Sequence, residues 1–189
     1  MDACTPIHAY QIREKTTKEK RTLVKRIYNL LFLFLFFGPT VSAQCLQANP
    51  FCTGTNYSFP NSTNVQDLGP VDCLGSTPNP VWYFMEIDKN GPMTFTINQN
   101  TAAGSGIDVD FALWGPYNSL AAGCGGGTFP AGSAIDCSYS TAATETATIP
   151  NAQIGQFYIL LLTNFANQPG TIDFSQTGGT GSADCSFVC

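Results

Sequence analysis

After residue 26 the chain is nearly without positive charge. Seven of its eight lysines and arginines precede Ile27, and only Lys89 follows; the single histidine is His8. From residue 44 onward one cation stands against ten acids, a net charge of −9. That balance excludes the phosphate contacts on which nucleic-acid binding depends. It also opposes other anionic ligands and anionic membrane surfaces. With no imidazole in this stretch, neither a serine nor a cysteine has the base that nucleophilic hydrolysis requires. Lys89 lies in the turn sequence "DKNGP" and reads as a solvated charge.

A bilayer-length apolar run is also missing. The greasiest stretch, Ile27 to Phe37 ("IYNLLFLFLFF"), has eleven residues, short for a membrane span. Lys25 and Arg26 precede it and "GPTVSA" follows, the layout of a secretory signal peptide cut after Ala43. An uncleaved anchor is the alternative; a lipoprotein is disfavoured because Gln44, not a small residue, precedes Cys45. Since "VKRIYNLL" reads as a leader's start, residues 1–23 are taken as an extension ahead of initiation at Val24. Residues 24–43 are then the signal peptide and 44–189 one exported domain of ordinary size, secreted or at the cell surface, with no membrane insertion after cleavage.

Seven cysteines remain after Ala43: Cys45, Cys52, Cys73, Cys124, Cys137, Cys185 and Cys189. In an exported chain they read as a disulfide framework; zinc is the competing reading, disfavoured by the lack of a C-x-x-C pair and of histidine. Cys124 and Cys137 bracket a Gly-rich stretch and are expected to pair. Position alone suggests Cys45 with Cys185 and Cys52 with Cys73. The odd number leaves either a free thiol or the front end of a longer protein.

Helical periodicity is nearly absent, whereas strand signals recur between turn clusters, so the domain is predicted all-β. "VWYFMEI" (81–87) is apolar on both faces and predicts a covered central strand, with Trp82 packed between sheets. "MTFTIN" (93–98) alternates, Met93, Phe95 and Ile97 inward. "DVDFALW" (108–114) alternates too, placing Val109, Phe111 and Leu113 on the core and Asp108 and Asp110 on the solvent side. "TETATIP" (144–150) gives a short strand, and "QFYILLLTNF" (156–165), greasy on both faces, belongs mid-sheet. Pro169 and Gly170 suit the centres of a type II turn, after which "TIDFSQ" (171–176) pairs back as a hairpin. "TNYSFP" (55–60) and "STNVQDL" (62–68) offer edge strands, the Gly-rich stretch 115–140 has too little bulk for core, with "GCGGGTFPAG" (123–132) a flexible loop, and "TGGTGSADC" reads as an exit linker. Seven to eight strands with long crossing loops predict a two-sheet, jelly-roll-like β-sandwich.

Taken in order, "NPVWYFMEI", "GPMTFTI", "DVDFALWGPY", "TETATIPNAQIGQFYILLLTN" and "QPGTIDFSQTGGTG" resemble the β-sandwich module that follows the signal peptide in large secreted and surface proteins of Bacteroidetes, including gliding-associated ones. More distantly the chain is similar to bacterial pre-peptidase C-terminal domains. These share an aromatic strand, a D-x-D strand and a final strand, here Gly155, Phe157, Tyr158 and Ile159. The resemblance covers roughly 45–185 and implies a non-catalytic accessory, adhesion or ligand-binding part. The sorting segment such proteins carry does not follow Cys189 here, so attachment by that route requires a longer chain.

Carboxylate chemistry survives the loss of histidine. Asp108 and Asp110 on one strand face stand about 6–7 Å apart, but glycosidases flank the sugar with their pair, and these two point from one surface. Calcium takes several oxygens, and Asp108, Asp110, Asp136 and Glu145 are the candidate ligands; some resembling sandwich domains bind it. "GCGGGTFPAG" lacks the Lys-Ser/Thr tail and helix of a phosphate loop. Trp114, Tyr117 and Tyr139 are the candidate sugar platform, because rings stack on pyranose faces; Trp114 as a cap on the core is the competing reading. The functional expectation is a secreted, non-catalytic adhesion or ligand-binding module whose partner is an extracellular glycan or surface protein. A calcium- or carbohydrate-binding accessory domain of a secreted hydrolase is the alternative.

Overall fold

The computed structural model describes residues 44–54, 56–125 and 130–186. The leader, the signal peptide with its apolar run, and Cys189 lie outside these. Among the described residues no helix is long and apolar enough to cross a membrane.

The elements run β1 (Asn49–Pro50), β2 (Tyr57–Pro60), β3 (Val81–Lys89), β4 (Gly91–Asn100), β5 (Val109–Tyr117), α1 (Leu120–Cys124), β6 (Asp136–Ser138), β7 (Thr144–Ala152), β8 (Phe157–Asn164), β9 (Thr171–Gly179) and β10 (Ser182–Ala183). One sheet is ordered β1-β3-β8-β5-β6, with β10 also on β3; the other is β2-β9-β4-β7. The domain is therefore the two-sheet β-sandwich that the strand periodicity predicts.

Its core follows from the alternation. Met93, Phe95 and Ile97 of β4 meet Val109, Phe111 and Leu113 of β5 and Tyr158, Leu160 and Leu162 of β8, all buried. Phe51 reaches in from beside β1, its ring 4.0 Å from that of Phe174 and 5.4 Å edge-on from that of Phe95. Outward, β4 and β7 pair Thr94 with Thr148 and Thr96 with Thr146, a hydroxyl-lined solvent face.

The six-stranded sheet has a second, covered face. Trp82, Ala112, Trp114, Ile159 and Leu161 point away from the sandwich core and are buried under residues 45–48, 68–74, α1 and Ala134. Register explains the fit: Trp82 pairs with Leu161, Leu161 with Ala112 and Ala112 with Cys137 in one row, where the small Ala112 leaves room for the indoles. Trp82 thus packs on Trp114 in this outer layer, ring centroids 6.1 Å apart, and not between the sheets. Loop sequences carry no periodicity, so the layer is invisible to a strand pattern.

Several other expectations are corrected. β8 lies between β3 and β5, which leaves it no edge for a hairpin, and β9 crosses to the other sheet beside β2 and β4. The turn after β8 closes from Asn167 N–H to Asn164 O at 3.2 Å with Asn167 at φ 53°; Gly170 does not take the positive φ a type II turn centred on it needs. Residues 62–68 form no strand, and part of the Gly-rich stretch is α1, N-capped by Ser119. "TGGTGSADC" continues β9 and then forms β10 on β3.

The disulfides are Cys45–Cys124, Cys52–Cys185 and Cys73–Cys137, which replaces every expected pairing. Cys124 is buried at the end of α1 against Cys45, whereas Cys137 lies on the edge strand β6 beneath the 68–74 loop. Thirteen residues of separation therefore say nothing of contact. The loops closed span 79, 133 and 64 residues, each bond restricting the unfolded chain by about 4–5 kcal/mol in chain-entropy terms. Such bonds fit an oxidising, extracellular compartment.

Candidate functional site

Where β5 begins and β6 ends, the chain builds a small cleft. Val109 N–H donates to Ala142 O (3.0 Å) and Gln99 N–H to Ala143 O (2.9 Å), which folds residues 139–143 back over the start of β5. Beneath them a buried amide network fixes the base. Gln99 Nε2 donates to Asp108 O (2.9 Å) and to Asn164 Oδ1 (3.2 Å), and Asn79 Nδ2 donates to Asn164 O (3.0 Å). Amide groups are costly to bury unpaired, and with Gln99 Oε1 alone of these left without a partner the network holds the ends of β4, β5 and β8 in one arrangement.

The cleft, about 150 Å³, is lined by Asp108, Asp110, Tyr139, Ser140, Thr141 and Phe165. Asp110 is 1% exposed, in contrast to the solvent position expected of it. It does face away from the sandwich core, as period two requires, but residues 139–143 cover that face. Its Oδ1 accepts Ser140 N–H (3.0 Å) and its Oδ2 the Thr163 hydroxyl (3.4 Å). Burial pushes its pKa up to about 6, helped by the charge of Asp108 and further by Glu145, against the two hydrogen bonds. Asp108 is raised by burial and then by Glu145, and its Oδ1 is closed off from solvent without a hydrogen-bond partner. Glu145 accepts the Ser140 hydroxyl at 2.5 Å.

Two rings form the lip. Tyr139 and Phe165, each 46% exposed, meet edge to face at 6.0 Å, a favoured aromatic geometry. The Tyr139 hydroxyl shares a 3.3 Å hydrogen bond with Ser76.

Of the four acids considered for calcium, Asp108, Asp110 and Glu145 are brought within electrostatic reach of one another and Asp136 is not. Asp136 Oδ2 accepts Thr148 N–H (2.7 Å) and its Oδ1 accepts Cys137 N–H (2.9 Å), so it ties β6 to the edge of β7. Among the described residues no three acids, histidines or cysteines stand at metal-ligand spacing. Of the three rings, only Tyr139 lines the cleft. Trp114 is fully buried and donates its indole N–H to Asp72 Oδ2 (3.3 Å); Tyr117 is held by Ala131 O (2.5 Å). The sequence reading missed Phe165, Ser140 and Thr141. An aromatic immediately past the end of a greasy strand is the signal that marks Phe165.

Fold and cleft together define an all-β, disulfide-bonded sandwich with a small acid-and-aromatic recess at one end of a sheet. Neither a known protein family nor a curated protein matches the chain. Among solved structures it is similar to the pre-peptidase C-terminal domain of collagenase from Bacillus anthracis, with 13% identity over 69% of this chain and 94% of that one and a TM-score of 0.43.

Proposed function

We propose that the chain is an exported, non-catalytic adhesion or ligand-binding module, alone or within a larger surface protein, and that the cleft is its contact with an extracellular glycan. The observation that carries this is the pair of half-exposed rings fixed at the lip of a carboxylate-lined recess. Rings offer apolar surface to a pyranose face, while Asp108, Ser140 and Thr141 accept from or donate to its hydroxyls. Net negative charge turns anionic sugars away. The three disulfides and the signal-peptide layout support export. On a glycan array the domain is expected to retain neutral or amino sugars, and Tyr139→Ala to weaken that binding at least tenfold, about 1.4 kcal/mol. No retention of any glycan, or retention indifferent to Tyr139, would remove the proposal.

Calcium is a second reading, favoured by one observation: Glu145 raises the proton affinity of both Asp108 and Asp110, and Asp108 adds to that of Asp110. Because they do not stand at ligand spacing, the ion would have to draw them together. Millimolar calcium at a hundred times its dissociation constant stabilises a folded protein by about 2.7 kcal/mol. A rise of several degrees in melting temperature, lost in Asp108→Ala, is the expected result; an unchanged melt eliminates calcium.

A further inference from the structure

We propose that Cys52–Cys185 is a force shunt: tension along the chain crosses the domain through this bond and spares β2 through β10. For its setting the idea rests on the surface-module reading, since a tethered extracellular domain is pulled through its ends. Cys52 and Cys185 are 133 residues apart and bracket β2 through β10. The strands beside them dock at one place. Phe51 N–H donates to Phe84 O and Asp184 N–H to Glu86 O, both at 2.8 Å, so entry and exit lie two residues apart on the same edge of β3. Thr53 adds a second tie, its Oγ1 accepting Ala183 N–H at 2.9 Å.

A stretched polymer transmits load along its shortest covalent path. With the bond in place the path from Cys45 to Cys185 is about seven residues of chain and one disulfide, roughly 25 Å at ~3.5 Å per residue. β1 and Phe51 lie on that path, whereas β2 through β10 hang off it. Without the bond, load passes from Cys45 through its disulfide to Cys124, and residues 124–185 must pay out, about 61 residues or roughly 210 Å. Cys73–Cys137 does not shorten that route, because Cys73 lies behind it. With all three bonds reduced, about 140 residues run free, roughly 490 Å. What then resists is the two-residue strands β1 and β10 peeling from β3, followed by the sheets.

The test is single-molecule stretching of the full chain with handles at both ends; residues before Cys45 and after Cys185 lengthen alike in every sample. The oxidised protein is expected to show no domain-sized release. The double variant Cys52→Ser/Cys185→Ser is expected to release about 210 Å, and full reduction about 490 Å. Should the variant fail to fold, the oxidised wild type held under tension while reductant is added gives the same reading, with release only after reduction. A release of 200 Å or more from the oxidised wild type, or none from a folded variant, overturns the proposal. Neither result bears on the cleft, and a failed glycan array leaves the load path as it is.

Discussion

Trp114→Ala is expected to lower the unfolding free energy by about 4 kcal/mol, enough to drop the melting temperature by more than 10 °C. The indole is fully buried on the outer face of the six-stranded sheet, beside Trp82 and over Ile159. Its N–H also reaches Asp72, whose carboxylate holds the Ala134 N–H at 2.6 Å. Truncation therefore opens a cavity and loosens the join between the 68–74 loop and the segment entering β6. Because Cys73–Cys137 and Cys45–Cys124 pin the cover on both sides, it cannot collapse into the space, which puts the change toward the costly end of aromatic truncations. Denaturant melts of Trp114→Ala and Trp114→Phe decide the matter: the phenylalanine is expected to recover more than half. A loss below 1 kcal/mol would mean that the loops do not seal this face. Tyr139→Ala, at the exposed lip, is expected to change stability by less than 1 kcal/mol while it weakens binding.

Asp110→Asn is expected to stabilise the protein at neutral pH by about 2–3 kcal/mol and to flatten its pH dependence. Burial first, and then the charge of Asp108, raise the Asp110 pKa from its ordinary 3.8 to about 6 in the folded state. The folded protein therefore holds this proton more tightly than the unfolded chain does. Its contribution to stability is fully present below pH 4, declines as pH rises, and is gone above about 6. Asp108, raised by burial and by Glu145, slopes the same way. Asparagine keeps an oxygen for Ser140 N–H and offers a donor to Thr163. Thermal melts across pH 4 to 7 should show the wild type losing stability over this window relative to the variant. A wild type that gains on the variant as pH rises would refute the account.

The strands were legible because alternation is written residue by residue: 93–98 and 109–113 sit as their pattern requires, and the apolar 157–162 lies mid-sheet. What no strand pattern records is the layer of loops. Asp110 occupies a polar position in a period-two stretch, which reads as wet unless one knows that residues 139–143 fold over it. Trp82 and Trp114 read as core or as a platform for the same reason. The absence of a β8–β9 hairpin was not legible: a strand greasy on both faces is covered on both faces, which does not say which strands lie at its edges. Half of the cleft could be read, in Asp108, Asp110 and Tyr139. Ser140 joins it through its N–H on the Asp110 carboxylate, carrying Thr141 along, and Phe165 through the pairing of β8 with β5, contacts between segments far apart in sequence.

None of the three disulfides joins cysteines that follow one another along the chain. A polypeptide delivered N-terminus first into an oxidising space exposes Cys45, Cys52 and Cys73 as thiols long before Cys124, Cys137 and Cys185 arrive, so oxidation in order of emergence gives the wrong bonds. Delivered that way, the domain would have to exchange its bonds before reaching the native set, so a host with a disulfide isomerase is expected to yield more native protein than one equipped only to oxidise.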